Sequence, residues 1–188
     1  MIFSKITSFL ESFIFCHIRL ILELLIKNGI YSSTLGQTLL DFRTDFHSCA
    51  TAPTSSPRQV HIIDSSLFTH LASSSSKYPS FALSPGSLGE NITTDGLDLI
   101  SLSEGTRLHF GDHEGHAVVK VMGLRNPKKR LEEWPEGLLD RCKLKDKKGK
   151  TVGRTVGVMG VVEHEGYVQS GYTVYVEKPK HFRALGNV

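Results

Sequence analysis

The sequence predicts a mainly β fold: a small barrel with a few short helices, preceded by a helical extension at the N-terminus. Three observations carry that expectation. Short apolar or alternating runs recur at 59–63, 106–110, 117–122, 156–162 and 174–176, and strands of this length at regular spacing read as a barrel or sandwich. Glycine-bearing turn segments at 111–116 and 163–166 separate them. Residues 1–30 differ, because Phe9, Phe13, Leu20 and Leu24 recur at helical spacing while Arg19, Glu23 and Lys27 give i,i+4 charge pairs.

Taken in order, residues 1–57 read as an amphipathic helix followed by a linker that ends in serine, threonine and proline around Pro53 and Pro57. The longest uninterrupted apolar run among the first thirty residues is Phe13 to Cys16. A membrane span needs roughly 20, so membrane anchoring is not expected. A secretory signal fits poorly, since His17, Arg19 and Glu23 interrupt the apolar stretch. The main domain is placed at 58–179 and a tail at 180–188. Val60, Ile62 and Ile63 mark a β-branched strand, and Asp64 or Ser65 can cap a helix through Leu67, Phe68 and Leu71. Residues 106–110 alternate as a half-buried strand does, with 117–122 as the partner. A helical piece follows Pro135, an exposed turn lies at 146–150, and glycine thins the buried strand at 156–162.

Composition bounds the function. The 188 residues are 39% hydrophobic and 22% charged, which suits one ordinary domain and excludes wholesale disorder. A net charge of +3 does not argue for nucleic acid. Between Arg125 and Arg154, however, eleven Lys or Arg face five Asp or Glu, which reads either as a solvated loop or as an attractor for a phosphate-like anion. Three scattered cysteines, Cys16, Cys49 and Cys142, form neither a disulfide framework nor a zinc pattern. A reducing, cytoplasmic setting is the default expectation. Asp112, His113, Glu114 and His116 sit together in a glycine-bounded turn, yet their spacing specifies no metal site, and none is expected.

The segment around which the chain is organised is 84–97, where Pro85, Gly86, Gly89 and Gly96 surround Glu90 and Asn91. Glycine admits positive φ and close backbone approach, and proline pre-sets a turn. Two readings stand side by side: a loop that presents Glu90 and Asn91 to a ligand, or a strand connection with an asparagine cap.

Together, Gln59-Val60-His61, the segment Ser84-Pro85-Gly86-Ser87-Leu88-Gly89-Glu90-Asn91-Ile92-Thr93-Thr94-Asp95-Gly96, Gly105-Thr106-Arg107-Leu108, Leu124-Arg125-Asn126-Pro127 and Gly157-Val158-Met159-Gly160-Val161-Val162 resemble the MOSC domain, named for the C-terminal part of molybdenum-cofactor sulfurases. The resemblance implies a compact, mostly β barrel that binds molybdenum cofactor or handles sulfur, with a sulfur donor or acceptor protein as a possible partner. It places Glu90, Asn91, Arg125, Asn126 and Lys128 at the cofactor. Arg125 would meet a phosphate or oxyanion, or else pin its loop through a salt bridge. Pyridoxal phosphate belongs to the wider sulfurase setting, and no lysine here carries a Schiff-base pattern. In the family a sulfur-carrying cysteine directly follows the Arg-x-Pro unit. Here that position is Lys128, which cannot hold a persulfide, and Cys142 is the weak substitute. Two functions therefore remain open: cofactor binding with sulfur handling, or a non-catalytic module for an anionic ligand or protein partner. Whether the chain is an enzyme stays open with them. Residues 1–57 lack the family's usual opening strand and Gly-Asp-rich loop, which would leave a barrel edge exposed.

Overall fold

A computed structural model describes residues 16–18, 23–26, 29–32, 57–73, 80, 82–112, 114–127, 137–168 and 170–188. In chain order these form β1 (Cys16–Ile18), β2 (Glu23–Ile26), β3 (Gly29–Ser32), β4 (Val60–Asp64), α1 (Ser65–Ala72), β5 (Ile92–Asp95), a 3-10 turn (Leu99–Ser101), β6 (Arg107–Phe110) and β7 (Ala117–Leu124). Then come α2 (Leu138–Arg141), β8 (Lys143–Lys145), β9 (Thr151–Arg154), β10 (Val158–His164), β11 (Gly166–Val168) and β12 (Thr173–Glu177). No helix among the described residues is long and apolar enough to cross a membrane.

Six strands in the order β12-β6-β7-β10-β4-β5 make a curled sheet, and β1 bridges its two edges to close the barrel. Cys16 pairs with Val174 on one side, and Ile18 pairs with Thr94 on the other. The β4–β5 pair is parallel, which demands a crossover. That crossover contains α1 and the glycine-rich loop, so topology itself carries the loop to the barrel end. Strand alternation drives the packing. In β6, Leu108 and Phe110 are fully buried while Arg107 and His109 are partly exposed, and in β12 Val174 and Val176 face the same interior. Strand β4 is buried along its whole length, because Val60 and Ile62 join the barrel core while Ile63 joins a second cluster with Phe68, Leu71, Leu88, Leu138 and Val156 beneath α1. Asp64 caps α1, its Oδ1 accepting from the Ser66 amide at 3.1 Å.

The mainly β barrel agrees with the sequence reading, and the N-terminus departs from the helix expected there. The described residues among 1–32 are extended, as β1, β2 and β3, and the rest of 1–56 lies outside the described residues. Of the residues at helical spacing, Leu24 lies in β2, paired with Tyr31 of β3 and Tyr167 of β11, and Phe9, Phe13 and Leu20 lie outside the described residues. Strand β1 supplies the missing barrel strand, while β2 pairs with β3 and β11. Residues of the expected tail are bound as well: Ala184 bridges Ser103, and Asn187 bridges Leu124.

Candidate functional site

The loop between α1 and β5 is held from inside. The Ser87 amide donates to the Ser84 carbonyl at 2.9 Å and the Gly89 amide to the Gly86 carbonyl at 3.1 Å. Gly86 and Gly89 take φ of 91° and 70°. Glu90 is 2% exposed. Its Oε1 accepts from the Gly86 amide and from Thr93 Oγ1, and its Oε2 accepts from the Leu88 amide at 3.1 Å. Asn91 clamps β4 at two points, Oδ1 accepting from the His61 amide at 2.7 Å and its own amide donating to the His61 carbonyl at 2.9 Å. These hydrogen bonds point into the protein, which matches a strand connection capped by asparagine. Glu90 and Asn91 build the loop and attach it to β4.

At the same end, Arg125 leaves β7. Its amide donates to the Gly157 carbonyl and its carbonyl accepts from the Val156 amide, each at 3.0 Å. Gly157 is required here: its φ is +101°, and a Cβ would lie 2.3 Å from the Ile62 carbonyl oxygen. The half-buried Arg125 side chain reaches His61, with Nη1 hydrogen-bonded to Nδ1 of the imidazole. The other ring nitrogen, Nε2, donates to the Val156 carbonyl at 2.6 Å. A carbonyl only accepts and a guanidinium only donates, so the short contact to Val156 together with Arg125 at Nδ1 assigns the proton to Nε2 over the longer 3.4 Å approach of the Gly89 carbonyl to Nδ1, which is left as an acceptor. Burial holds the His61 pKa well below its ordinary value, and the neighbouring Arg125 charge lowers it further. The Gly89 carbonyl stands 3.4 Å from the same Nδ1, which brings the glycine-rich loop against the pair.

His61 is the residue that motif reading passed over as part of a matching strand. The available signal was a titratable side chain inside the apolar run Val60-His61-Ile62-Ile63, since a buried imidazole needs partners. Asn126 is exposed, Pro127 is buried, and Lys128 lies outside the described residues.

Cys142 sits at the C-terminal cap of α2, 2% exposed within the second hydrophobic cluster. Burial pushes its thiol up to about 12 against a weaker opposing pull from Arg154. It borders a cavity of about 230 Å³ between α1, the 3-10 turn and β8. A thiol in that state is not a thiolate at neutral pH and is a poor nucleophile.

At the opposite end of β7, His109 and His116 share a hydrogen bond at 2.9 Å between Nδ1 and Nε2, and His109 Nε2 meets Glu177 Oε2 at 3.0 Å. The two imidazole nitrogens face one another rather than a common point. No group of three His, Cys, Asp or Glu is arranged to hold a metal among the described residues, and His113 lies outside them.

Similarity to known proteins follows the fold. The YuaD protein of Bacillus subtilis superposes with a TM-score of 0.57 at 17% identity, covering 89% of this chain and 98% of that one. YiiM from Escherichia coli gives 0.59 at 14% identity, covering 91% and 73%. At such identities the likeness speaks for the fold alone. Comparison with curated protein sequences finds no match. The family model described as the MOSC domain matches residues 50–175, a span that contains the glycine-rich loop, His61, Arg125 and Gly157, and the chain belongs to the MOSC domain family.

Proposed function

We propose that this chain is a MOSC module that binds an anionic, phosphate- or oxyanion-bearing ligand of the molybdenum-cofactor kind through Arg125, without carrying sulfur on its own thiol. The supporting observation is a guanidinium anchored at the barrel end, its backbone tied to Val156 and Gly157 and its side chain to His61. A planar guanidinium held in one orientation suits a tetrahedral oxyanion, because its N–H groups match oxygen spacing in pairs. The local excess of Lys and Arg from 125 to 154 favours approach of such an anion.

These residues fit the phosphate of a molybdenum cofactor. The described thiol does not fit its metal, since Cys142 is closed off and its pKa is pushed up to about 12. Glu90 and Asn91 act here by shaping the loop, and Asn126 and Lys128 remain candidate contacts beside Arg125. With Lys128 in place of the family's cysteine, delivery of sulfur would require a partner's thiol. The second reading, a non-catalytic module for an anionic ligand or protein, is favoured by the same Lys128.

Titration of the purified protein with molybdenum cofactor tests the reading, with Arg125→Ala and Lys128→Cys in parallel. Binding by the native chain that falls at least about tenfold in Arg125→Ala supports it, that factor corresponding to loss of one hydrogen bond to a charged group. Unchanged affinity in Arg125→Ala refutes the assignment. With a persulfide donor added as the source of sulfane sulfur and its thiol released, persulfide formation on Lys128→Cys but not on the native chain would identify the substitution as the reason for lost sulfur carriage.

A further inference from the structure

We propose that His61 is the positioning residue of this site, a neutral hydrogen-bond acceptor that fixes the Arg125 guanidinium for its anionic ligand. The inference rests on the reading of Arg125 as the anion-binding group. Three residues close a circuit: Val156 donates its amide to the Arg125 carbonyl, His61 Nε2 donates to the Val156 carbonyl, and Arg125 Nη1 donates to His61 Nδ1. Each link sets the next. The Val156 carbonyl selects the tautomer, and the tautomer makes Nδ1 an acceptor rather than a second donor facing a cation. Burial keeps the ring neutral, and neutrality is what the contact with Arg125 requires. The charged groups acting on the ring are Arg125 after β7 and Arg58 before β4. From the glycine-rich loop and from the segment before β10 it meets the backbone carbonyls of Gly89 and Val156. The fixed histidine main chain completes the device, because Asn91 bonds both its amide and its carbonyl.

Two variants separate positioning from mere structural support. Asparagine places an acceptor oxygen near the Nδ1 position and gives up the bond to Val156. Glutamine places a donor near the Nε2 position and gives up the acceptor for Arg125. The experiment follows the arginine side-chain resonances of 15N-labelled protein during titration with inorganic phosphate, with urea unfolding of each variant alongside. The expected result is that His61→Asn keeps phosphate affinity within about threefold, while His61→Gln loses about tenfold or more, even where glutamine is the more stable protein.

Equal loss in both variants, or greater loss in His61→Asn, overturns the positioning role and leaves the Arg125 reading standing. If native protein shows no phosphate-dependent shift at Arg125, the anion site itself fails. The inference about His61 is then judged on free protein, where Arg125 guanidinium rotation must be slowed in native and His61→Asn protein but not in His61→Gln. Should neither variant fold, native protein decides: on acidification the His61 ring nitrogens and the Arg125 side chain must titrate together, and independent titration refutes the coupling.

Discussion

Replacing Gly157 with alanine probes the junction on which the candidate site is built. The residue takes φ of +101°, and an added Cβ would approach the Ile62 carbonyl oxygen to 2.3 Å and Ile63 Cγ1 to 2.8 Å. Left-handed backbone in a residue bearing a Cβ costs about 1–2 kcal/mol, and overfilling a packed site costs about 1–3 kcal/mol more. The obstructing atom is backbone, so it does not swing away as a flexible side chain would, and we expect about 4 kcal/mol in all from these two terms. For a chain of this size that lowers Tm by about 8–16 °C.

Two companion variants separate the terms. Gly171 has φ of +88° with no atom within 4 Å of where a Cβ would stand, so Gly171→Ala should show conformational strain alone, about 1–2 kcal/mol. Gly160 has no positive φ, but a Cβ there would meet Val119 Cγ1 at 2.5 Å and the Lys120 carbonyl at 2.9 Å, so Gly160→Ala should show crowding alone, about 1–3 kcal/mol. Urea unfolding monitored by far-UV circular dichroism reads all three. A Gly157→Ala loss no larger than that of Gly171→Ala would show that β4 yields freely and would refute the close-approach reasoning.

Three further outcomes follow from the same geometry. Glu90→Gln places an amide nitrogen against backbone donors in either flip, since the Gly86 and Leu88 amides approach opposite carboxylate oxygens. A loss of about 2–3 kcal/mol is expected, with faster hydrogen exchange at Gly86 and Leu88; unchanged protection there would contradict it. Cys142, its thiol shifted up to about 12, should react with a disulfide reagent at pH 8 only at the rate of unfolding, and rapid labelling of its peptide in native protein, read by mass spectrometry, would overturn the assignment. The pKa of His61 is depressed in the fold, so the unfolded chain binds the proton first: stability is full above about 6.5 and falls below it by up to about 1.4 kcal/mol per pH unit, until the folded value is reached. In His61→Asn this component of the acid slope should vanish, and an identical slope would exclude His61 as its source.

Local signals were legible where local physics decided the outcome. The alternation of Leu108 and Phe110 with Arg107 and His109 specifies β6 without reference to any partner, and Asp64 beside an apolar helical repeat specifies α1 and its cap. Strand β1 gave no such signal because it is defined by distant partners. Cys16 meets Val174 and Ile18 meets Thr94, and nothing near either residue announces the pairing. One local cue was present: Asn28-Gly29 is a turn dipeptide in the sequence, and Gly29 opens β3 paired with Ile26 of β2. At the site, glycine spacing located the loop correctly, but composition could not say which way Glu90 would turn. Its direction is fixed by the amide groups of Gly86 and Leu88, which converge only after the loop has folded. His61 escaped notice for a related reason, since its role depends on Val156 and Arg125, far away in sequence.

The closure by β1 bears on how the molecule comes into being. A strand that must touch Thr94 and Val174 together finds its second partner only after synthesis has passed Val174, more than 150 residues beyond Cys16. Until then the ring stays open at two borders, each with unsatisfied amides and carbonyls. Contacts of such sequence separation make folding slow, and the interval is one in which another nascent copy can add its own strand at either border. Yield in cells should therefore respond to translation rate and chaperone supply more steeply than the finished barrel's stability would suggest.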